Sequence, residues 1–209
     1  MAQHSMQKTP TIITITLNRL YYNYHCFKTL KEKAGCEYKH IIVDNGSTDG
    51  TEKWLVEEGY NPILNKENKG ITYALRQALE RCDDGLVIKL DSDCEIVTDG
   101  LIKKVVEYCS ENKKMIVSPR IGGLHNNLKA KETTNGFERT DFSGGIFRPL
   151  KLEEWKEAGD NLRDNRINRF FLDKGYKIGY LPELKANHFE TTDGQIERYP
   201  QYFNKQYIF

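Results

Sequence analysis

Short apolar runs alternate with helix-forming stretches through the first 119 residues of this 209-residue chain. The apolar runs are TIITITL at 11–17, KHIIVD at 39–44, GLVIKLD at 85–91 and MIVSP at 115–119, with a shorter NPIL at 61–64. Strands that are apolar on both faces are typical of a parallel sheet covered by helices on each side. The sequence therefore predicts an α/β fold with a Rossmann-like, mostly parallel central sheet.

The chain length suits one domain with a full core of its own. We predict a flexible N-terminal arm over residues 1–10 and a single domain over 11–209, with a nucleotide-binding half of about 11–119 and an acceptor and catalytic half of about 120–209. Residues 120–139 are polar and lack periodicity, which predicts a long loop. A Gly-containing strand (SGGIFRPL), two helical stretches and a further strand (YKIGYLP) are expected after it.

Composition argues against several classes of protein. The 31 basic residues nearly balance the 30 acidic ones, so no nucleic-acid partner is expected. The five cysteines are scattered and form no C-x-x-C pair, which argues against a disulfide framework and a zinc site and favours a reducing, cytoplasmic location. No apolar run approaches the ~20 residues that span a bilayer, so we expect no membrane insertion.

Three short polar segments, at 44–47, 68–70 and 91–93, follow predicted strands. In an open α/β sheet, ligands bind at the carboxyl ends of the strands, so these segments are expected to meet at one site. Asp91 and Asp93 either turn toward one divalent cation or cap a helix. Asp44 either braces the following turn or accepts a hydrogen bond from a base or ribose. The chain lacks the G-x-G-x-x-G and G-x-x-x-x-G-K-[ST] patterns, which argues against a dinucleotide site and a P-loop.

Several motifs also follow one another in a recognisable order. The first strand ends in TLNR (16–19), the second strand leads into VDNGSTDGT (43–51), and N-x-G at 68–70 precedes D-S-D at 91–93. A last segment, LRDNRINRFFLDKGYKIGYLPELKANH, occupies 162–188. Together these motifs resemble the inverting family 2 glycosyltransferases of GT-A fold, over about residues 11–190. The family's usual Glu-Asp pair is replaced by Arg163-Asp164 here.

The resemblance implies an activity and roles for individual residues. The implied reaction is the metal-dependent transfer of a hexose, of glucose or rhamnose type, from a UDP-sugar to a hydroxyl of a glycan or other acceptor. Asp164 is the expected catalytic base, and Asp93, Asp91 and His188 are the expected ligands of Mn²⁺ or Mg²⁺. The residues expected to bind the nucleotide and the donor sugar are Ile15, Leu17, Asn18, Arg19, Asp44, Asn68, Gly70, Arg76, Asp91, Ser92, Gly144 and Gly145. Arg76 stands where the family often has Asn, and its guanidinium could reach a phosphate.

Simpler interpretations stay open at this stage. Asp164 could be a surface aspartate paired with Arg166 or Lys174, His188 could be structural, and glycines 144 and 145 could form a strand bulge. The chain could also be a non-catalytic nucleotide-sugar or carbohydrate-binding module. A sugar-nucleotide pyrophosphorylase is the alternative enzyme, although its Gly-rich basic loop after the first strand is missing from TLNRLYYN. The resemblance further implies that the chain is one module of a larger protein.

Overall fold

The computed structural model describes residues 8–122, 130–134 and 136–189, which form six helices and ten strands. The helices are α1 (Leu20–Lys33), α2 (Thr51–Glu57), α3 (Ile71–Leu79), α4 (Leu101–Glu111), α5 (Leu152–Ala158) and α6 (Asp164–Asp173). The strands are β1 (Thr11–Thr16), β2 (Lys39–Asp44), β3 (Ile63–Leu64), β4 (Leu86–Leu90), β5 (Cys94–Ile96), β6 (Met115–Gly122), β7 (Glu132–Thr134), β8 (Phe137–Thr140), β9 (Phe147–Lys151) and β10 (Lys177–His188). Most of the expected arm (residues 1–7) and the end of the expected domain (190–209) lie outside the described residues.

The first sheet has the strand order β3-β2-β1-β4-β9. The pairs β3 with β2, β2 with β1 and β1 with β4 are parallel, and only β9 runs antiparallel to its neighbour β4. The predicted mostly parallel central sheet is thus confirmed. The inner strands β1 and β4 and most of β2 are buried because they carry branched apolar residues on both faces, as Ile12 and Ile13 do in β1, whereas the short edge strand β3 is partly exposed.

Helices cover both faces of this sheet, as expected. On one face, α1, α2 and α4 pack on one side-chain row of the strands, which includes Ile12, Ile42 and Ile88. On the other face, α3, α5 and α6 pack on the alternate row, which includes Ile13 and Val43. Two apolar cores therefore hold the sheet in place, and none of the described helices is both long and apolar enough to cross a membrane.

A second sheet, which the sequence analysis did not predict, is built around the long strand β10. This strand pairs antiparallel with β5 and β8 and parallel with β6, and β7 adds to the outer side of β8. Two expectations are corrected here. The run MIVSP continues to Gly122 and joins this sheet rather than the first one. The loop expected over 120–139 includes the short strands β7 and β8; residues 123–129 and 135 lie outside the described part of the chain.

The topology brings several loops to one edge of the first sheet. The parallel strands β1, β2 and β4 end there, and the loop before β9 starts there because β9 runs in the opposite direction. The backbone N–H of Asp91 donates to the carbonyl of Ile146 at 2.8 Å, which joins the loop after β4 to the loop before β9. The end of β10 closes the same edge, since Phe189 N donates to Asp93 O at 2.9 Å.

Candidate active site

A cleft of about 310 Å³ opens where these loops meet. It is lined by Ile15, Thr16, Leu17, Arg19, Asn45, Asn68, Ile71, Asp91, Ser92 and Asp93. Three polar segments that are distant in sequence contribute to this lining, as expected for the carboxyl edge of a parallel sheet. Seven of the positions expected to bind donor or metal belong to it: Ile15, Leu17, Arg19, Asn68, Asp91, Ser92 and Asp93.

The corner between β1 and α1 is held in a strained conformation. Asn18 and Arg19 both have positive φ angles, 60° and 66°, which cost about 1–3 kcal/mol each for residues other than glycine. The carbonyls of both residues accept hydrogen bonds from the side-chain amide of Asn23, at 3.1 and 3.0 Å. Asn18 also bonds the next loop, accepting from Thr48 N at 2.8 Å and donating its own N–H to Ser47 Oγ at 2.6 Å. Asn18 therefore fixes the backbone that directs Arg19 into the cleft.

Asp44 and Asn45 organise the loop after β2. Asp44 is buried and accepts hydrogen bonds from the backbone N–H of Ser47, at 3.2 Å, and from the Ser47 hydroxyl, so it braces the turn and does not line the cleft. Burial raises the pKa of Asp44, and the bonds from Ser47 oppose that shift. Gly46, with φ +92°, permits close approach to the neighbouring loop, because a Cβ there would lie 2.7 Å from the backbone of Glu67.

Asn45 was not predicted as a site residue, although it lies in the quoted VDNGSTDGT motif. Its side-chain amide donates to Asn68 Oδ1 at 2.9 Å, and its Oδ1 accepts from the side chain of Asn65 at 3.0 Å and from Lys69 N at 3.2 Å. Asn68 Oδ1 also accepts from Gly70 N at 2.9 Å. This amide network positions Asn68 at the cleft. Gly70 does not line the cleft, and its N–H helps to hold the loop in shape.

Asp93 is the most deeply buried carboxylate of the cleft, with its side chain 6% exposed. Its Oδ2 accepts a hydrogen bond from Arg19 and lies 3.3 Å from His188 Nε2, whereas its Oδ1 is buried and has no hydrogen-bond partner among the described residues. Burial alone would raise the pKa of Asp93, but the hydrogen bond of His188 and the charge of Arg19 outweigh burial and hold that pKa below its usual range. Asp93 is therefore an anion with one oxygen left for a further donor or cation.

Asp91 has different surroundings. Its carboxylate accepts a hydrogen bond from Lys89, the only charged residue within β4, and the same ammonium donates to the carbonyl of Gly145 at 2.6 Å. Burial raises the pKa of Asp91, while the charge of Lys89 opposes that shift. The sequence analysis did not predict Lys89 as a site residue. A lysine inside an apolar strand does indicate one, because a buried charge almost always has a partner of opposite charge nearby.

The described residues contain no group of three or more His, Cys, Asp or Glu side chains that could hold a metal ion. Asp91, Asp93 and His188 thus do not form a complete set of protein ligands. The donor set still fits a hard divalent cation, because Mg²⁺ is commonly bound by one or two carboxylates and completed by substrate phosphates and water. The buried Oδ1 of Asp93, which has no hydrogen-bond partner among the described residues, is the ligand atom that such a cation would use.

Asp164 lies at the first position of α6 and faces the loop before β9. Its Oδ1 accepts from Arg148 Nη1 at 2.9 Å, and its Oδ2 accepts from Gly145 N at 3.0 Å. The side chain of Arg148 is only 1% exposed, whereas that of Asp164 is 46% exposed. The simpler pairing with Lys174 is not found, since Lys174 bonds Glu157. Arg148 was not predicted as a site residue either, although an arginine within a predicted apolar strand also indicates a buried charge with a partner.

The two halves of the site are joined through Gly145. Lys89 binds Asp91 and the Gly145 carbonyl, and the Gly145 N–H binds Asp164. Glycines 144 and 145 lie in the loop before β9 rather than in the expected strand. A Cβ at Gly145 would collide with the Asp164 carboxylate, so a larger residue there would displace that side chain.

The structure does not bring Arg76 into the cleft. Its guanidinium pairs with the exposed Asp160 and lines a separate cavity beside Trp155. Helical geometry is the reason: five residues of an α-helix turn the side chain about 140° away from Ile71, which faces the cleft. The proposed phosphate contact of Arg76 is therefore not supported by its position.

Solved structures that share this fold include glycosyltransferases of the GT-A class. The chain superimposes with a TM-score of 0.73 on the mannosyltransferase PcManGT from Pyrobaculum calidifontis, at 18% identity, covering 93% of this chain and 60% of that one. The TM-score is 0.71 for GalNAc-T7, at 14% identity and with 89% and 44% of the two chains covered.

The model of the family described as "Glycosyl transferase family 2" matches residues 11–176, and the chain belongs to that family of glycosyltransferases. It is 28% identical over 191 residues to the teichoic acid poly(glycerol phosphate) polymerase of Staphylococcus epidermidis, covering 82% of this chain and 26% of that protein. The chain spans from 21% to 42% of the length of the curated relatives it matches.

Proposed function

We propose that this domain transfers a hexose from a UDP-sugar to a hydroxyl of a glycan acceptor, with inversion at the anomeric carbon and with Mn²⁺ or Mg²⁺ as cofactor. The observation that carries the proposal is the junction at Gly145, which links Asp91 of the cleft, through Lys89, to the more exposed carboxylate of Asp164. GalNAc-T7 was solved with UDP, GalNAc and Mn²⁺, and PcManGT was solved in complex with GDP-Man and Mn²⁺. A nucleotide diphosphate and a divalent ion are therefore the first ligands to test.

Asp93 would hold the metal through its unpartnered Oδ1, with Asp91 as the second carboxylate. When bound, the ion supplies positive charge that stabilises the departing diphosphate, in place of a general acid. His188, which now bonds Asp93, either keeps that carboxylate oriented or joins as a ligand, and as a softer ligand it would favour Mn²⁺ over Mg²⁺. Arg19 and Lys89 neutralise the two carboxylates before ligands bind.

The donor would lie across the cleft from β1 to the loop after β3. Ile15 and Leu17 supply apolar contacts, and Asn68 supplies an amide for the nucleoside or ribose. Arg19 is the cation closest to the expected diphosphate, because it already reaches Asp93. Asp44 acts on the nucleoside through the turn that it braces, together with Asn18. Gly144 and Gly145 leave the backbone open to close approach by the sugar.

Asp164 is assigned as the general base. Each of its oxygens accepts one hydrogen bond, so each keeps a lone pair for the proton of an acceptor hydroxyl. Its partial exposure lets an acceptor approach, while Arg148 holds the carboxylate in a single orientation. A base on one face and a diphosphate on the other lead to a single displacement and to inversion.

The experiment is a panel of nucleotide sugars assayed for release of free nucleotide, with Mn²⁺ or with EDTA, in wild type and in Asp93→Asn. We expect one UDP-sugar to be hydrolysed fastest, only with Mn²⁺ and only by wild type. Addition of pyrophosphate should produce no nucleoside triphosphate, which separates transfer from pyrophosphorolysis. Failure of every donor to release nucleotide under these conditions would contradict the proposed function and favour a non-catalytic binding module.

A further inference from the structure

Another cavity lies between α1 and α2, apart from both the cleft and the cavity beside Trp155. Its volume of about 680 Å³ falls within the roughly 300–1,000 Å³ of pockets that bind small ligands. Six aromatic rings line it, from α1, β2 and the α2 region: Tyr24, Phe27, Tyr38, His40, Trp54 and Tyr60. We call this cavity the aromatic groove.

The rings form one continuous surface around Phe27. The Phe27 ring lies 4.7 Å from His40, 5.7 Å from Trp54 and 5.3 Å from Tyr60, measured between centroids. Tyr24 extends the surface outward, 6.4 Å from Trp54. At 36% exposure Tyr24 is the one exposed ring of the six, so the groove is recessed. A recessed aromatic wall suits a narrow ligand better than a flat protein surface.

The polar side chains around these rings make no hydrogen bonds or ion pairs with the described residues. Lys28, Lys31, Glu32 and Glu58 line the groove, and within the described ranges neither these side chains nor the hydroxyls of Tyr38 and Tyr60 make a hydrogen bond or ion pair. Burial raises the pKa of Tyr38 to about 12, so its hydroxyl stays a donor at neutral pH. The groove thus offers donors and acceptors beside ring faces, with two positive and two negative charges that balance. That balance disfavours a strongly charged ligand such as a nucleotide.

The groove begins close to the cleft. Helix α1 starts at Leu20, directly after Arg19, and Tyr24 follows about 6 Å further along the helix axis. Helix α2 starts at Thr51, after the loop that Asp44 braces, and Trp54 lies in its first turn. The wall then extends to His40 near the start of β2, at the opposite end of that strand from Asp44. A ligand several rings long would therefore extend along α1 and β2, on the side of the first sheet that α1 and α2 cover.

We propose that the aromatic groove is a second carbohydrate-binding site, which holds a neutral glycan segment of several sugar units. A sugar ring stacks its C–H face on aromatic rings and exchanges hydrogen bonds through its hydroxyls, and the groove offers partners for both. Carbohydrate binding in the groove does not depend on the proposed transfer function.

The test is a fluorescence titration of the whole chain with three neutral tetrasaccharides: cellotetraose, tetra-N-acetylchitotetraose and maltotetraose. The chain has two tryptophans, and Trp155 is 1% exposed in the core, so a change in emission reports on Trp54. We expect saturable binding of at least one probe, with a Kd of about 0.1–10 mM. Tyr24→Ala should raise that Kd by about 5-fold, and Tyr60→Phe, which removes only a hydroxyl, should also raise it.

The matched control is Tyr73→Ala, which removes an exposed tyrosine of α3 outside the groove and should leave the Kd unchanged. Absence of saturable binding for all three probes, or equal effects of Tyr24→Ala and Tyr73→Ala, would overturn the proposal. So would a concentration-dependent dimer that Tyr24→Ala disrupts while the sugars give no signal. Donor hydrolysis without tetrasaccharide binding would refute the groove alone, and binding without hydrolysis of any donor would refute the transfer function alone.

Discussion

Asp93 and Asp164 carry the same functional group in different surroundings. The side chain of Asp93 is nearly buried, between Arg19 and His188, while that of Asp164 is half exposed and bonds the backbone of Gly145. A buried anionic carboxylate with one oxygen left unpartnered suits a metal ion, and the adjacent Arg19 suits a diphosphate. An accessible carboxylate suits proton transfer from a hydroxyl that arrives from solution. Substitutions of the two residues should therefore have different effects on ligand affinity and on transfer rate.

The first prediction concerns these two carboxylates. Asp164→Asn should keep the affinity for UDP and Mn²⁺ but lose about 10²- to 10⁴-fold in transfer rate, the usual range for a general base. Asp93→Asn should lower both affinity and rate, because an amide cannot replace an anionic ligand. Binding by calorimetry and rate by nucleotide release are measured on the same preparations. Asp160→Asn, which removes a 92% exposed aspartate outside the cleft, is the control, and near wild-type transfer by Asp164→Asn would identify another residue as the base.

The second prediction uses two adjacent glycines that differ only in their neighbours. A Cβ at Gly145 would collide with the carboxylate of Asp164, whereas one at Gly144 would meet nothing within 4 Å. Gly145→Ala should thus displace Asp164 and lower the transfer rate at least about 100-fold, since misplacement of about 1 Å costs that much. Gly144→Ala leaves the Asp164 carboxylate in place, so its transfer rate should fall much less, and only through contact of the new methyl group with the donor sugar. Thermal unfolding of both variants checks that the fold is intact, and equal rates would rule out the Gly145 junction as a determinant of activity.

Motifs indicate most of the polar residues that line the cleft, Asn45 excepted, but not the buried cations that hold the carboxylates in place. Asp91, Asp93 and Asn68 were expected at the cleft and are there. Lys89 and Arg148 were not, because their importance depends on which loop each side chain reaches across the sheet. Arg76 lies outside the cleft for a related reason: its motif position does not determine its angle around α3.

At the scale of elements, the local sequence pattern predicts the first sheet. It does not predict the second sheet, because that sheet forms by pairing between strands that are distant in sequence. The strands β1, β2 and β4 are apolar on both faces, so the sequence of each one already indicates its place. In the second sheet, Met115 pairs with Lys177 and Glu132 pairs with Arg139, and β7 is exposed along its whole length. A short exposed strand has no apolar alternation, so periodicity predicts a loop there.

The third prediction concerns the packing of β2 against α1. The imidazole of His40 lies against Phe27 and shares a 3.0 Å hydrogen bond with Thr14 Oγ1, and burial lowers its pKa to about 3. An unfolded His40 binds a proton below about pH 6.5, whereas the folded ring stays neutral, so the unfolded state gains protons in this window. The free energy of unfolding should therefore be intact above pH 6.5 and fall toward pH 3, by up to about 1.4 kcal/mol per pH unit.

Urea unfolding of wild type and His40→Gln between pH 7.5 and 5 measures this effect. Glutamine does not titrate and can still bond Thr14, so the variant should be less stable at pH 7.5 yet should lose less stability on acidification. Parallel pH profiles for the two proteins would show that His40 does not cause the loss.

At the scale of the molecule, the cleft is built from several loops that are distant in sequence. Loops after β1, β2, β3 and β4 line it, the loop before β9 joins it through Gly145, and the end of β10 supplies His188. Two sheets must therefore be in place before the site exists. A ligand that contacts several of these loops binds only the folded chain, and so its binding free energy adds to the stability of the whole domain.

The last prediction follows from this coupling. If UDP and Mn²⁺ share the site at Asp93, each should stabilise the domain weakly alone, and the two together should do so strongly. At a ligand concentration of 100 times Kd the gain is about 2.7 kcal/mol, which corresponds to a rise of about 5–10 °C in Tm for a domain of this size. Differential scanning fluorimetry with UDP, Mn²⁺, both, and UDP with EDTA gives the four values. In Asp93→Asn the combined shift should fall to the sum of the separate shifts, because the carboxylate that joins metal to diphosphate is gone. Equal UDP shifts with Mn²⁺ and with EDTA in wild type would refute a shared site, whatever the size of those shifts.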